Sequence, residues 1–257
     1  MLDELYSLRG KVALITGASR GIGRAVALAF AEAGADLAVS SRNRRPPELE
    51  ETAEQVRALG RKALAVPAHV GRKADVADLV QKSLAAFGRI DILVNNAGGN
   101  PVLSTLAELE EEAFDKVMEV NLKGAFLVSK AVAAVMIGQG GGRIINVSSV
   151  SGLRARNDRT GAYCISKAAL NMMTQVMARE LAGHHILVNA IAPGSIRTEF
   201  SRVNWSDPER CARRVQEIEL KRFGEPAEVA GIALFLASAA GSFVTGEIIR
   251  VDGGEMI

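Results

Sequence analysis

The sequence predicts an α/β fold: a single domain over residues 1–257, built on a doubly wound parallel sheet of about seven strands with helices on both faces. Three observations carry this. Short apolar runs of strand length alternate with stretches of helical periodicity along the whole chain. The strand runs are apolar at almost every position, as strands covered on both faces require. The 257 residues are 48% hydrophobic and contain no linker or repeat, enough for one large core.

The elements follow in order. "KVALIT" (11–16) reads as a buried strand, and "GIGRAVALAFAEAGA" after it as a helix ended by Gly34. "DLAVSS" (36–41) is a second strand; Pro46-Pro47 opens a helix reaching about Leu59. "KALAVP" (62–67) is a third strand, followed by a helix over 73–87. "IDILVNNAG" (90–98) is a fourth strand running into a polar loop, with helical stretches expected at 105–111 and 113–137. "GRIINVSS" (142–149) is a fifth strand and precedes a helix carrying Tyr163; "ILVNAIAPG" (186–194) is a sixth. Residues 195–224 form a more charged excursion, then "EPAEVAGIALFLAS" is a helix and "EIIRVDGG" the last strand.

Composition excludes several classes. Charged residues are 23% of the chain and the net charge is +2, which suits neither a nucleic-acid surface nor disorder. The densest basic cluster, Arg42, Arg44 and Arg45, is too short for a polybasic tail. The two cysteines, Cys164 and Cys211, lack metal spacing and cannot build a disulfide framework, so no metal site and a cytoplasmic setting are expected. "MLDELYSLRGK" does not read as a signal peptide, nor "GGEMI" as a lipidation or peroxisomal signal. The uncharged run 229–246 is broken by glycines and reads as helix, turn and strand start, so no membrane association is expected.

Chemistry gathers at the strand ends. The first strand empties into Thr16-Gly17-Ala18-Ser19-Arg20-Gly21-Ile22-Gly23 and then a helix. Glycines allow a tight turn and close approach to a ligand, and a helix N-terminus offers N–H groups to a pyrophosphate. Asn95-Asn96-Ala97-Gly98 leaves the fourth strand, where ligands of doubly wound sheets sit; Asn and Gly are equally ordinary turn formers. Asn121 shares a helix face with Val117, Ala125 and Val128; a core-facing amide either holds a kink and a water or orients a catalytic group. Ser148 and Ser149 end the fifth strand, and Pro193-Gly194-Ser195-Ile196-Arg197-Thr198 leaves the sixth. Tyr163 and Lys167 stand four apart on a helix and so share a face. An ammonium beside a phenol favours the phenolate.

Over essentially its whole length the chain resembles the short-chain dehydrogenase/reductase family, through TGASRGIG, NNAG, Asn121, Ser149, Tyr163-x-x-x-Lys167 and PGSIRT in that order. The resemblance implies a Rossmann-type oxidoreductase in which Tyr163 is the general acid/base and Ser149 hydrogen-bonds the substrate oxygen. It implies that Lys167 lowers the Tyr163 pKa and holds the nicotinamide ribose, and that Asn121 positions a water linking Lys167 to solvent. It also implies a homotetramer; dimeric assembly remains open. The uncharged stretches 168–178 and 229–246 and the nearly uncharged 124–137 point to subunit interfaces as well.

Two departures bear on the cofactor. His69-Val70 stands where the family often has Asp-Val at the adenine; a neutral imidazole nitrogen accepting from the adenine amine and a purely structural histidine are both open. The second strand ends in Ser41-Arg42, with no acid to hold a ribose hydroxyl pair, and Asp36 lies at that strand's other end. Arg42 and Arg20 instead suit a 2′-phosphate, so NADP is the expected cofactor. The expected contacts are Gly17, Ser19, Arg20, Gly21, Ile22, Gly23, Ser41, Arg42, His69, Val70, Asn96, Ala97, Gly98, Tyr163, Lys167, Pro193, Gly194, Ile196 and Thr198. The substrate is expected to be a small ketone, sugar or 3-oxoacyl compound or the matching alcohol; Arg154, Arg156 and Arg159 near the pocket mouth either belong to a solvated loop, the more common case, or attract an anion. The rival reading is a nucleotide-binding regulator that keeps the fold without turnover.

Overall fold

The computed structural model describes residues 1–42, 46–100, 102–155 and 159–257. Seven parallel strands form one sheet in the order β3-β2-β1-β4-β5-β6-β7. They are β1 (Val12–Thr16), β2 (Asp36–Ser41), β3 (Ala63–Pro67), β4 (Ile92–Asn95), β5 (Gly142–Val147), β6 (Ile186–Pro193) and β7 (Ile248–Val251). The order reverses between β1 and β4, which pair through Ala13–Ile92 and Ile15–Val94, and this opens a crevice at their carboxyl ends.

Helices cover both faces. After a short N-terminal helix α1 (Leu2–Leu5) come α2 (Gly21–Glu32), α3 (Pro46–Ala58) and α4 (Lys73–Phe87). They are followed by α5 (Glu111–Met118), α6 (Gly124–Gln139), α7 (Gly161–Leu181), α8 (Pro208–Gln216) and α9 (Pro226–Ala237). Successive residues of β1 face opposite layers, as a period of two demands. Ala13 and Ile15 join Val26, Phe30, Ala53 and Ala233 from α2, α3 and α9; Leu14 joins Leu79, Val128, Val132 and Met136 from α4 and α6.

Most expected elements lie where the sequence places them, and the two helical stretches after β4 differ. Residues 105–110 are a turn in which Thr105 Oγ1 donates to Glu108 at 2.9 Å, and helix begins only at Glu111. The stretch expected at 113–137 is one helical run from Glu111 to Gln139, interrupted by a π turn at Glu119–Lys123 that joins α5 to α6. Over these 29 residues the run is long and apolar enough to cross a membrane by length and composition. Half of its most apolar window is buried in the molecule, where α6 packs Ala125, Val128, Val132 and Met136 inward, so its apolarity serves the core. The 229–246 stretch contains α9, whose Val229, Ala233 and Leu236 pack with α2.

Candidate active site

The glycine loop after β1 is shaped from below. Gly17 and Gly21 have φ of 67° and 57°, in the left-handed region that favours glycine. The Asn96 amide donates to the Thr16 carbonyl at 3.1 Å and the Gly17 carbonyl at 2.9 Å, and Thr16 Oγ1 accepts from the N–H groups of Asn96 and Ala97, both at 3.1 Å. The NNAG segment is thus a clamp on the loop. Asn95 turns into the core, donating to Ser129 and Asn146. The α2 N-terminus has no side-chain cap, so its first N–H groups are left for a ligand.

A cavity of about 1110 Å³ runs along the carboxyl edge of the sheet. Its wall includes the expected Gly17, Ser19, Arg20, Gly21 and Ile22, then Ser41, Arg42, His69 and Val70. Asn96, Ala97, Gly98, Ser149, Tyr163 and Lys167 follow, with Pro193, Gly194, Ile196 and Thr198 closing it. Two expected residues are not on that wall. A Cβ on Gly23 would strike the Gly17 carbonyl and the Asn96 amide, so its glycine lets α2 pack on the loop. Asn121 lies behind the wall in the π turn. Its amide donates to the Gly99 carbonyl at 2.9 Å and to Ser166 Oγ at 3.0 Å, and its Oδ1 accepts from the Gly99 N–H at 2.8 Å. A Cβ on Gly98 would stand 3.4 Å from Asn121 Oδ1 and 3.5 Å from Lys167 Nζ, so both groups lie close to that glycine.

At the inner end α7 presents Tyr163 and Lys167 as stacked neighbours, with Lys167 Nζ 5.6 Å from the phenol ring centre. Lys167 is buried and donates to the Val147 carbonyl at 2.7 Å; burial pulls its pKa down to about 8. Ser149 Oγ accepts from the Ser151 N–H at 3.1 Å, which leaves its own hydrogen for a ligand. Ser148 instead faces inward, towards the Lys167 carbonyl.

At the outer end the His69 pKa is lowered, first by burial. Its Nδ1 accepts from the Gly71 N–H at 3.2 Å, so the neutral ring carries its proton on Nε2. Towards a ligand that edge would donate; of the two readings the sequence leaves open, an accepting nitrogen there does not fit this hydrogen bond, and a structural histidine remains compatible with it. Asp36 is held by Arg61 at 2.7 Å, far from any ribose role. Arg42 and His69 also line an adjoining cleft of about 620 Å³ with Arg72, Lys116 and the two acids Asp75 and Asp78. Glu48 is the one acid on the cavity wall near Arg42 among the described residues.

The mouth departs from expectation. Arg159 lines the cavity but is tied to Glu108 at 2.9 Å; Arg154 does not line it; Arg156, like Arg44 and Arg45, lies outside the described residues. Sequence reasoning missed Arg210, Arg213 and Arg214 of α8, which do line it. Their spacing of three and four, on one helix face, is the signal that finds them.

The glycine cradle, the uncapped helix start and the arginine-flanked end fit a dinucleotide. A family model described as enoyl-(acyl carrier protein) reductase matches residues 17–255. A 3-oxoacyl-(acyl-carrier-protein) reductase of Thermotoga maritima is 41% identical over 251 residues, covering 97% of this chain and 99% of the relative. The crystal structure of a short-chain type dehydrogenase/reductase from Mycobacterium marinum superposes with a TM-score of 0.94 at 40% identity, covering 100% and 99% of the two chains. The chain belongs to the short-chain dehydrogenase/reductase family. The crystal structure of a gluconate 5-dehydrogenase from Burkholderia cenocepacia in complex with NADP and tartrate matches at a TM-score of 0.93 and 37% identity, covering 99% and 98%. As a short-chain dehydrogenase/reductase the protein is an oxidoreductase that works with a nicotinamide cofactor and a small-molecule substrate.

Proposed function

We propose that the chain, as one catalytic domain over residues 1–257, moves hydride between NADP(H) and a carbonyl/alcohol pair, with Tyr163 as general acid/base. The observation that carries this is the inner end of the cavity, where Tyr163, Lys167 and Ser149 line one wall below the glycine loop. The nicotinamide, when bound, supplies or accepts the hydride. In the reductive direction Tyr163 Oη passes its proton to the substrate oxygen, and the Ser149 hydroxyl donates a hydrogen bond to that oxygen. Lys167, charged below about pH 8, favours the phenolate left behind and is placed to hold the cofactor ribose. Asn121 fixes Gly99 and lies, like Lys167, close to Gly98, suited to a water that relays protons to solvent.

For the cofactor, Arg42 and Arg20 line the adenosine end of the cavity and β2 supplies no carboxylate at its tip. Two guanidinium groups against the single Glu48 favour a 2′-phosphate. His69 Nε2–H suits a ring nitrogen acceptor of adenine. The substrate is a ketone, sugar or 3-oxoacyl compound, in keeping with the activities named for the relatives. Free Cys164 and Cys211 suit the cytoplasm. The exposed apolar side chains Phe126 and Ile137 on α6 and Ile165, Met172 and Val176 on α7 suit a homotetramer, or a dimer if only one of these helices is covered.

The test is an NADPH-oxidation screen over ketones, sugars and 3-oxoacyl thioesters, repeated with Tyr163→Phe. Turnover should fall by about 10²–10⁴-fold in the variant while cofactor binding persists, because only the ionisable oxygen is lost. Near-wild-type turnover would sink the assignment. In the same assay wild type should favour NADPH over NADH, by tenfold or more on the strength of a charge-assisted hydrogen bond of ~1.5–3 kcal/mol. Arg42→Ala should lose most of that preference with little change for NADH; an NADH-preferring wild type would refute the reading of β2.

A further inference from the structure

Beside Tyr163 the cavity is walled by residues of the 195–207 segment and of α8, and these two parts of the wall differ in chemistry. Next to the phenol it is hydrocarbon: the Phe200 ring lies 6.0 Å from the Tyr163 ring centre, and Val203 and Leu103 continue the wall. All three are large apolar side chains left about half exposed, which is unfavourable unless something covers them. The α8 part of the wall carries Arg210 and Arg213.

Most charges around those arginines are matched, apart from exposed Glu209 in the first turn of α8, which forms no ion pair with either of them among the described residues. Glu217 pairs with Arg214 at 2.8 Å, and buried Glu255 lies 3.7 Å from the same guanidinium. Glu199 faces Arg202 at 3.4 Å, and Arg159 is held by Glu108. Arg210 makes only a 3.4 Å contact to the Val203 carbonyl, and the Arg213 guanidinium has no partner among the described residues. Three residues apart on α8, the two cations are neighbours that repel each other unless an anion lies between them.

We infer that the substrate is an amphipathic carbonyl compound, or its alcohol, carrying a carboxylate or phosphate that Arg213 and Arg210 grip while its apolar stretch covers Phe200 and Val203. This rests on reading the cavity as a hydride-transfer site. A planar guanidinium donates two parallel hydrogen bonds to either anion, so both chemistries fit.

The test uses three ligands of one chain length: a medium-chain oxo acid, its methyl ester, and the corresponding oxo-alkyl phosphate. Their binding to the enzyme–NADPH complex is followed by NADPH fluorescence, and their turnover is measured separately. One of the two anions should bind about tenfold or more tightly than the ester, the effect of a charge-assisted hydrogen bond. The ratio should collapse towards one in Arg210→Ala/Arg213→Ala and be partly kept in Arg213→Lys. It should persist in Arg202→Ala, which removes the same charge from a residue off the cavity wall; loss there too would reduce the effect to general attraction and overturn a specific grip. The acid-to-phosphate ratio identifies the anion. Ester binding equal to that of both anions in wild type, or a ratio the double variant leaves unchanged, overturns the inference. An anion preference in binding with no turnover of any ligand would support the anion site and strike the hydride-transfer reading instead.

Discussion

Lys167 has a folded-state pKa of about 8 against an ordinary 10.5, and the cause is burial. That gap corresponds to roughly 3 kcal/mol against keeping the ammonium charged inside the fold. The charged form carries the penalty in full below about pH 8; the penalty fades as pH rises from 8 to 10.5 and is absent above. Replacing Lys167 with Met should therefore raise Tm at pH 7, offset in part by the Val147 carbonyl losing its donor. The gain should shrink between pH 8 and 10.5 while oxidoreductase activity is lost at every pH. Thermal melts at pH 7, 9 and 10.5 check this; a destabilised variant with no pH trend would contradict it. At this scale helical spacing puts Tyr163 and Lys167 on one face, but only the motifs gathered at the other strand ends, taken with the family resemblance, mark that face as a site. The side His69 turns to a ligand was not legible, since it depends on a hydrogen bond to Gly71 that only the folded loop creates. Arg210 and Arg213 are not legible as cavity residues, because a charged surface helix reads as a solvated face until the fold shows which face meets the cavity.

The strands are the most legible elements, since burial on both faces leaves apolar runs bounded by turn residues. The stretch after β4 is the least. Residues 105–111 have helical composition, but Thr105 and Glu108 close a single turn and Glu110 is extended, so no helix propagates before Glu111. The π turn at Glu119–Lys123 leaves no mark in the sequence because the apolar spacing of Val117, Ala125 and Val128 satisfies a regular helix. What sets the turn is tertiary: the Asn121 amide is drawn to the Gly99 peptide and Ser166. One extra residue in that turn re-aims Asn121 without altering the pattern on either side, a form often met at functional sites. The glycines divide similarly. Those with positive φ announce a turn, whereas Gly124, whose Cβ would press on the Val70 side chain, is explained only by the packing of α6 on the loop after β3.

Across the molecule, α6 and α7 each bury one side and leave the other apolar. Phe126 and Ile137 are exposed on α6; Ile165, Met172 and Val176 are exposed on α7, Met172 by 59%. The 229–246 run expected as a second interface is largely spent inside the chain on α2, and leaves a fully exposed Phe243 beside the edge strand β7. A stripe of this kind on two adjacent helices is what a second copy would cover. Light scattering at micromolar concentration should find a tetramer, or a dimer; a monomer would refute the proposal. The α7 stripe has a further consequence, because the same helix carries Tyr163 and Lys167 on its inner side. If a neighbour braces the outside of that helix, catalysis becomes a property of the assembled state. Specific activity would then fall on dilution through the dissociation range and recover on concentration, and a rate at nanomolar enzyme would understate the rate at cellular abundance.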